Sequence, residues 1–223
     1  VNPVNVMGAS KRMAERLIQT YDLTSKTQFM AVRFGNVIGS SGSAIPTFQQ
    51  QIKDGGPVTI THPEMIRYFM SIPEASQLIL QTAAIGRGGE IFLLEMGEPI
   101  KIVQIARDLI RLSGFEPEID IPIVYTGLRP GEKLFEELQT KEEDLIATNH
   151  KKIMILKDDS HLYEVDWLAL ESSVHELLRI AENLELNEIQ SFLKKLLPDY
   201  SPGKFMNVRL PSHIEPYSIK GQA

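Results

Sequence analysis

Short apolar runs and amphipathic helical stretches take turns along this chain, and that alternation admits few folds. Gln28–Arg33 contains the run Phe29-Met30-Ala31-Val32, typical of a strand buried on both faces. Residues 45–53 read as a short helix stopped by Asp54-Gly55-Gly56. Residues 58–61 alternate as a strand does, residues 68–71 form another strand candidate, and Pro73-Glu74 open a helix that runs to Ile85. Strands over residues 90–94 and 119–125 flank an amphipathic helix over 100–112, with Ile102, Ile105, Ala106, Leu109 and Ile110 on one stripe. Ahead of all of these, residues 3–21 read as a helix with Pro3 in its first turn and Val6, Met13, Ala14, Leu17, Ile18 and Tyr21 on its apolar side. Alternation of this kind predicts an α/β fold.

After residue 140 the pattern loosens. One more strand is expected over 151–156, then helices over 166–183 and 187–197, the second stopped by Pro198. A tail rich in Pro, Ser and Gly follows. The expected division is residues 1–43, 44–155, 156–200 and 201–223. No glycine-rich turn of the Gly-x-Gly-x-x-Gly type joins a strand to a helix within these 223 residues, so the phosphate cradle of a dinucleotide fold is not among them.

Composition narrows the function. A net charge of −6 argues against a nucleic-acid partner. The chain has no cysteine, which removes disulfides, thiolate metal sites and a cysteine nucleophile. The five histidines (His62, His150, His161, His175, His213) share no metal-ligand spacing, so no metal is expected. No stretch is long and apolar enough to span a bilayer. Glu136-Glu137 reads as a solvated helix face, and Lys141–Asp144 as a solvated charge run.

Four segments carry more specific information. Pro3-x-x-x-Met7-Gly8-Ala9-Ser10-Lys11 puts Met7 and Lys11 four residues apart on one helix face. Periodicity alone makes Lys11 a solvated lysine at a helix edge. Arg33-Phe34-Gly35-Asn36-Val37 opens a small-residue loop straight after a strand, where ligands of open α/β sheets sit. Arg67-Tyr68-Phe69 leads into Ile72-Pro73-Glu74-Ala75, and Gly127-Leu128-Arg129-Pro130-Gly131-Glu132-Lys133-Leu134 begins a segment expected to continue as a helix through Leu138. In this order the four segments resemble those of extended short-chain dehydrogenases/reductases. With methionine where a catalytic tyrosine usually stands, the chain is most similar to the long, membrane-anchored nucleotide-sugar 4,6-dehydratases of polysaccharide biosynthesis. The resemblance covers residues 1–155.

That resemblance implies the C-terminal part of a Rossmann-like doubly wound parallel sheet with a smaller α/β substrate-binding domain. It implies NAD or NADP as cofactor and a UDP-N-acetylglucosamine-type sugar as substrate. The sugar is oxidised at C4, loses water across C5 and C6, and takes the hydride back at C6. Lys11 would hold the nicotinamide ribose. Met7 cannot move a proton; it would shape the pocket, leaving acid–base work to residues outside this chain. Arg129 and Arg67 would clamp the diphosphate with Asn36 beside them. Glu132 would accept from ribose hydroxyls, pair with a local cation or complement a helix dipole, and the main chain around Thr59 and Thr61 would meet the uracil. The same resemblance leads to the expectation of a missing N-terminal half carrying the glycine-rich turn and any membrane anchor. The whole enzyme would be a homo-oligomer at the cytoplasmic face of the membrane, and this chain alone would be inactive and marginally stable. The alternatives from sequence are a sugar-nucleotide epimerase of the same superfamily and a non-catalytic sugar-nucleotide binding module.

Overall fold

A computed structural model describes residues 2–40, 42–139, 144–157, 167–183 and 186–202. The elements run α1 (Val6–Thr24), β1 (Ala31–Arg33), β2 (Asn36–Val37), α2 (Ala44–Lys53), β3 (Val58–Ile60), β4 (Ile66–Arg67), β5 (Phe69–Met70), α3 (Ile72–Ile85), β6 (Ile91–Leu94), β7 (Ile100–Lys101), α4 (Ile102–Leu112), β8 (Ile123–Tyr125), β9 (Asp144–Ala147), β10 (Ile153–Lys157), α5 (Trp167–Glu182) and α6 (Leu186–Leu196). The α/β class expected from the alternation is what the chain adopts.

A four-stranded sheet in the order β1-β6-β10-β9 is the central layer. β1 runs parallel to β6, with Val32 opposite Phe92, and β10 returns antiparallel on the other side of β6. All four residues of β6 are buried because the strand packs on both faces. Phe92 and Leu94 meet Leu78 of α3, whereas Ile91 and Leu93 meet Leu156 of β10. A second core joins Phe48 and Ile52 of α2, Val58 and Ile60 of β3, and Val103, Ala106 and Ile110 of α4. A third packs Ala9 and Met13 of α1 against Leu170 of α5 and Leu193, Leu197 and Tyr200 at the α6 end.

Several local expectations change. Asn5, not Pro3, starts α1: its backbone is extended and its side chain caps the helix. Val6, Ala14 and Tyr21 are exposed. The inward positions near them hold polar groups instead, because α1 also pairs with its neighbours through Arg12, Glu15 and Arg16. Ile100-Lys101 is not the first turn of a helix but a strand paired antiparallel with Ile66-Arg67. The charge run ends in β9, whose Asp144–Ala147 pair with β10. Residues 134–138 form no helix. The carbonyls of Lys133, Leu134 and Leu138, which a helix would use internally, instead accept from Arg67 and Arg33. The expected tail beyond residue 202 lies outside the described residues, as do residues 141–143 of the charge run.

Candidate functional site

The inner face of α1, the end of β1 and the segment 131–138 enclose a groove of about 680 Å³. Met7, Lys11, Asn36, Arg67, Glu132 and Glu136 all line it. The sequence motifs point to five of these, whereas Glu136 belongs to the pair that reads as a solvated helix face. Thr59, Thr61 and Arg129 stand outside its lining. A smaller depression of about 450 Å³ between α5 and α6 contains none of them.

Local chemistry explains how the groove is assembled. The β1 strand delivers Arg33, which is 9% exposed. Its Nε donates to Glu15 Oε1 at 2.5 Å and its Nη2 donates to Glu15 Oε2 at 2.9 Å. This two-point pair fixes α1 on the sheet one turn beyond Lys11. Burial by itself would raise the Glu15 pKa. The hydrogen bonds and charges of Arg33 and Arg12 outweigh it and hold the carboxyl below its ordinary 4.5. Downstream, β2 lies parallel to β5, with Asn36 opposite Phe69 and Asn36 N–H donating to Tyr68 O at 2.9 Å. Gly35 allows that approach, since a Cβ there would lie 2.9 Å from Tyr68 Cβ.

Arg67 sits at the β4–β7 pair and is 12% exposed. Its Nη1 donates to Ile66 O at 2.8 Å and Leu134 O at 3.0 Å, and its Nη2 donates to Lys133 O at 2.7 Å. Its Nε lies 3.4 Å from Glu136 Oε1. The guanidinium expected to clamp a diphosphate therefore holds the loop that follows Gly131, because a planar five-donor fork is the group that can satisfy several carbonyls at once.

Glu132 has a similar structural use. Its Oε2 accepts from Arg129 N–H at 3.0 Å and its Oε1 accepts from Thr61 Oγ1 at 3.1 Å. The Glu132 N–H donates back to Arg129 O at 3.0 Å, closing the turn over Pro130-Gly131. Thr59 is engaged with α2: its N–H donates to Gln51 Oε1 at 3.0 Å, and Gln51 Nε2 donates to Thr59 Oγ1 at 2.7 Å.

Three polar side chains contrast with these. Arg129 is exposed on the turn that Glu132 closes, and its guanidinium makes no hydrogen bond or ion pair with the described residues. The Asn36 amide and the Lys11 ammonium likewise bond to none of them. Met7 is 64% exposed toward the groove. Glu136 is the residue that sequence reasoning missed. Its Oε2 is buried without a hydrogen-bond partner among the described residues. Burial raises its pKa, with the positive charges of Arg67, Lys11 and Lys133 offsetting only part of that effect. Nothing in an apparent helix face advertises this; the absence of helix there turns Glu136 inward. Among the described residues no cluster of three or more His, Asp or Glu could hold a metal ion, and no helix is long and apolar enough to cross a membrane.

Residues 1–158 match the family described as polysaccharide biosynthesis protein. The capsular polysaccharide biosynthesis protein CapD of Staphylococcus aureus is 55% identical over 187 residues, covering 81% of this chain and 31% of that protein. The chain thus spans about a third of CapD's length. The X-ray structure of Pen from Bacillus thuringiensis superposes with a TM-score of 0.64 at 36% identity, over 71% of this chain and 50% of that one. DesIV, a dTDP-glucose 4,6-dehydratase from Streptomyces venezuelae solved with NAD and TYD bound, shares the fold with a TM-score of 0.52 at 22% identity, over 59% of this chain and 41% of that one.

Proposed function

The chain belongs to the polysaccharide biosynthesis protein family, and from that membership we propose that it forms the sugar-nucleotide-binding part of a nucleotide-sugar 4,6-dehydratase acting on a UDP-N-acetylglucosamine-type substrate. The observation that carries this reading is the Arg129 turn. Glu132 locks the turn from both sides, yet the Arg129 guanidinium is exposed and makes no bond to the described residues. A fixed main chain presenting a guanidinium without a partner suits recognition of a diphosphate. Asn36 offers a neutral donor from the groove beside it. Arg67 and Glu132 shape this site by ordering the loop, and Thr61 supports Glu132.

The nicotinamide end of NAD or NADP fits the α1 side of the groove. Lys11 offers there an ammonium that bonds to none of the described residues, in a space of about 680 Å³, and Met7 offers an apolar contact four residues earlier. The cofactor would supply the hydride acceptor and donor. Lys11 would hydrogen-bond its ribose and add positive charge near the reacting hydroxyl. Met7 would exclude water and carry no proton. The residues present fit that end of the cofactor only, since the sequence has no glycine-rich turn for its pyrophosphate.

Calorimetric titration of this chain with UDP-N-acetylglucosamine and with UDP tests the reading. Saturable binding is expected for both ligands and should weaken at least about tenfold in Arg129→Ala, the loss of a charged two-point contact. Equal binding by the variant, or no binding by folded protein, would refute the assignment of the turn.

A further inference from the structure

Asn5 uses both ends of its amide. Its Oδ1 accepts from Gly8 N–H at 2.7 Å and caps α1, and its Nδ2 donates to Gly131 O at 2.9 Å, 126 residues away. Gly131 has φ +73°, and a Cβ built on it would lie 2.9 Å from Asn5 Cβ. The Gly131 backbone lies against the Asn5 side chain with no room for a side chain of its own, and its positive φ also favours glycine. Capping alone does not require asparagine, because serine, threonine and aspartate cap as well. Among these residues, asparagine alone carries its acceptor and its donor on two separate atoms of one rigid plane. Turning that plane to follow Gly131 moves the cap oxygen with it.

Each end of this link is stiff. The turn over residues 129–132 is closed by reciprocal bonds between Arg129 and Glu132, so it moves as a unit. Ala9 N–H donates to Asn5 O at 3.0 Å, so the first full turn of α1 also starts at Asn5. Met7 and Lys11 project from the beginning of that helix into the groove. We propose that Asn5 is a positioning residue that couples the state of the Arg129 turn to the first turns of α1, so that an anion gripped at Arg129 tightens the helix carrying Met7 and Lys11. The inference rests on the diphosphate reading of the Arg129 turn for its ligand, but the mechanical link can be tested without one.

Hydrogen exchange on the 223-residue protein provides the test. Without ligand, Gly131→Ala pushes a methyl group into Asn5 and is expected to speed exchange of the amides of residues 9–12 at least about fivefold, the lower end for coupling between two sites. Unchanged exchange there would overturn the link. With saturating UDP, the wild type is expected to slow exchange both at 129–134 and at 9–12. Asn5→Asp keeps the cap acceptor and removes the donor. It is expected to retain the UDP effect at 129–134 and to lose it at 9–12, a separation that a purely structural cap would not produce. Equal transmission by Asn5→Asp would overturn the proposal. If UDP alters neither segment in the wild type, the diphosphate reading fails, and the Gly131→Ala comparison still decides the link.

Discussion

The core around α4 and the loop over residues 127–139 are neighbours held together by different balances of force. In the first, Val103, Ala106 and Ile110 meet Phe48, Ile52, Val58 and Ile60, and the joining force is apolar area withdrawn from water. In the second, Leu134 and Leu138 reach the apolar cores, but the chain has no regular hydrogen-bond ladder of its own. Arg67, Glu132, Asn5 and Arg33 supply partners for its main chain one atom at a time. Apolar packing tolerates small shifts and spreads their cost. A loop tied by single polar bonds is either fully satisfied or leaves buried groups unpaired. The groove borders the loop, so its precision depends on the less forgiving of the two regions.

The contrast is most sharply tested by damaging each side separately. Ile110→Ala, at a fully buried position, should cost about 2–5 kcal/mol in urea unfolding. The protein that remains folded should bind UDP as before; a fall in affinity parallel to the fall in stability would erase the distinction. Arg67→Lys should show the reverse balance. A lysine ends in a single nitrogen and cannot reproduce the fork whose Nη1 and Nη2 reach the carbonyls of Ile66, Leu134 and Lys133, so the expected stability cost is about 1–3 kcal/mol. UDP affinity should fall at least about tenfold and exchange across 127–139 should rise. A variant that melts earlier but binds UDP normally would mean that the loop does not depend on this residue.

The smallest expected effect concerns Glu136. Its folded pKa is raised, so the native state holds its proton more tightly than the unfolded state does. The stability it contributes is therefore present at low pH and is lost as pH rises from the ordinary 4.5 through the raised folded value. Glu136→Gln should flatten the change in stability between about pH 4.5 and 7. Urea melts at the two limits check this, and an unaltered slope would remove Glu136 from the account. Glu15 has the opposite sign: its lowered pKa gives stability that is kept at neutral pH and lost as pH falls below 4.5.

Legibility from sequence follows the same division. The stripe of α4 was readable because Ile102, Ala106 and Ile110 recur at the helical period and bury accordingly. Strand β6 was readable as a continuous apolar run. The order of the four motif segments was readable too, and they do converge on one groove. The work done by Arg67 and Glu132 was not, since a residue type says what a side chain can bond, not which carbonyl will be within reach. The stretch 134–138 looked helical because its composition permits a helix; the competing bonds come from Arg67 and Arg33, at least 66 positions earlier. β9 was hidden because its pairing with β10, not its own alternation, makes it a strand.

The position of β10 has a consequence for how the molecule is made. β6 is buried along its whole length, yet its second neighbour begins only at Ile153. A ribosome working at about 5–20 residues per second leaves this apolar strand with one side open for several seconds after Leu94 is added. During that interval the nascent chain carries its stickiest backbone edge toward whatever lies nearby, including a second nascent copy on the same messenger. Synthesis is thus a more dangerous moment for this fold than any it meets once β10 has closed over β6.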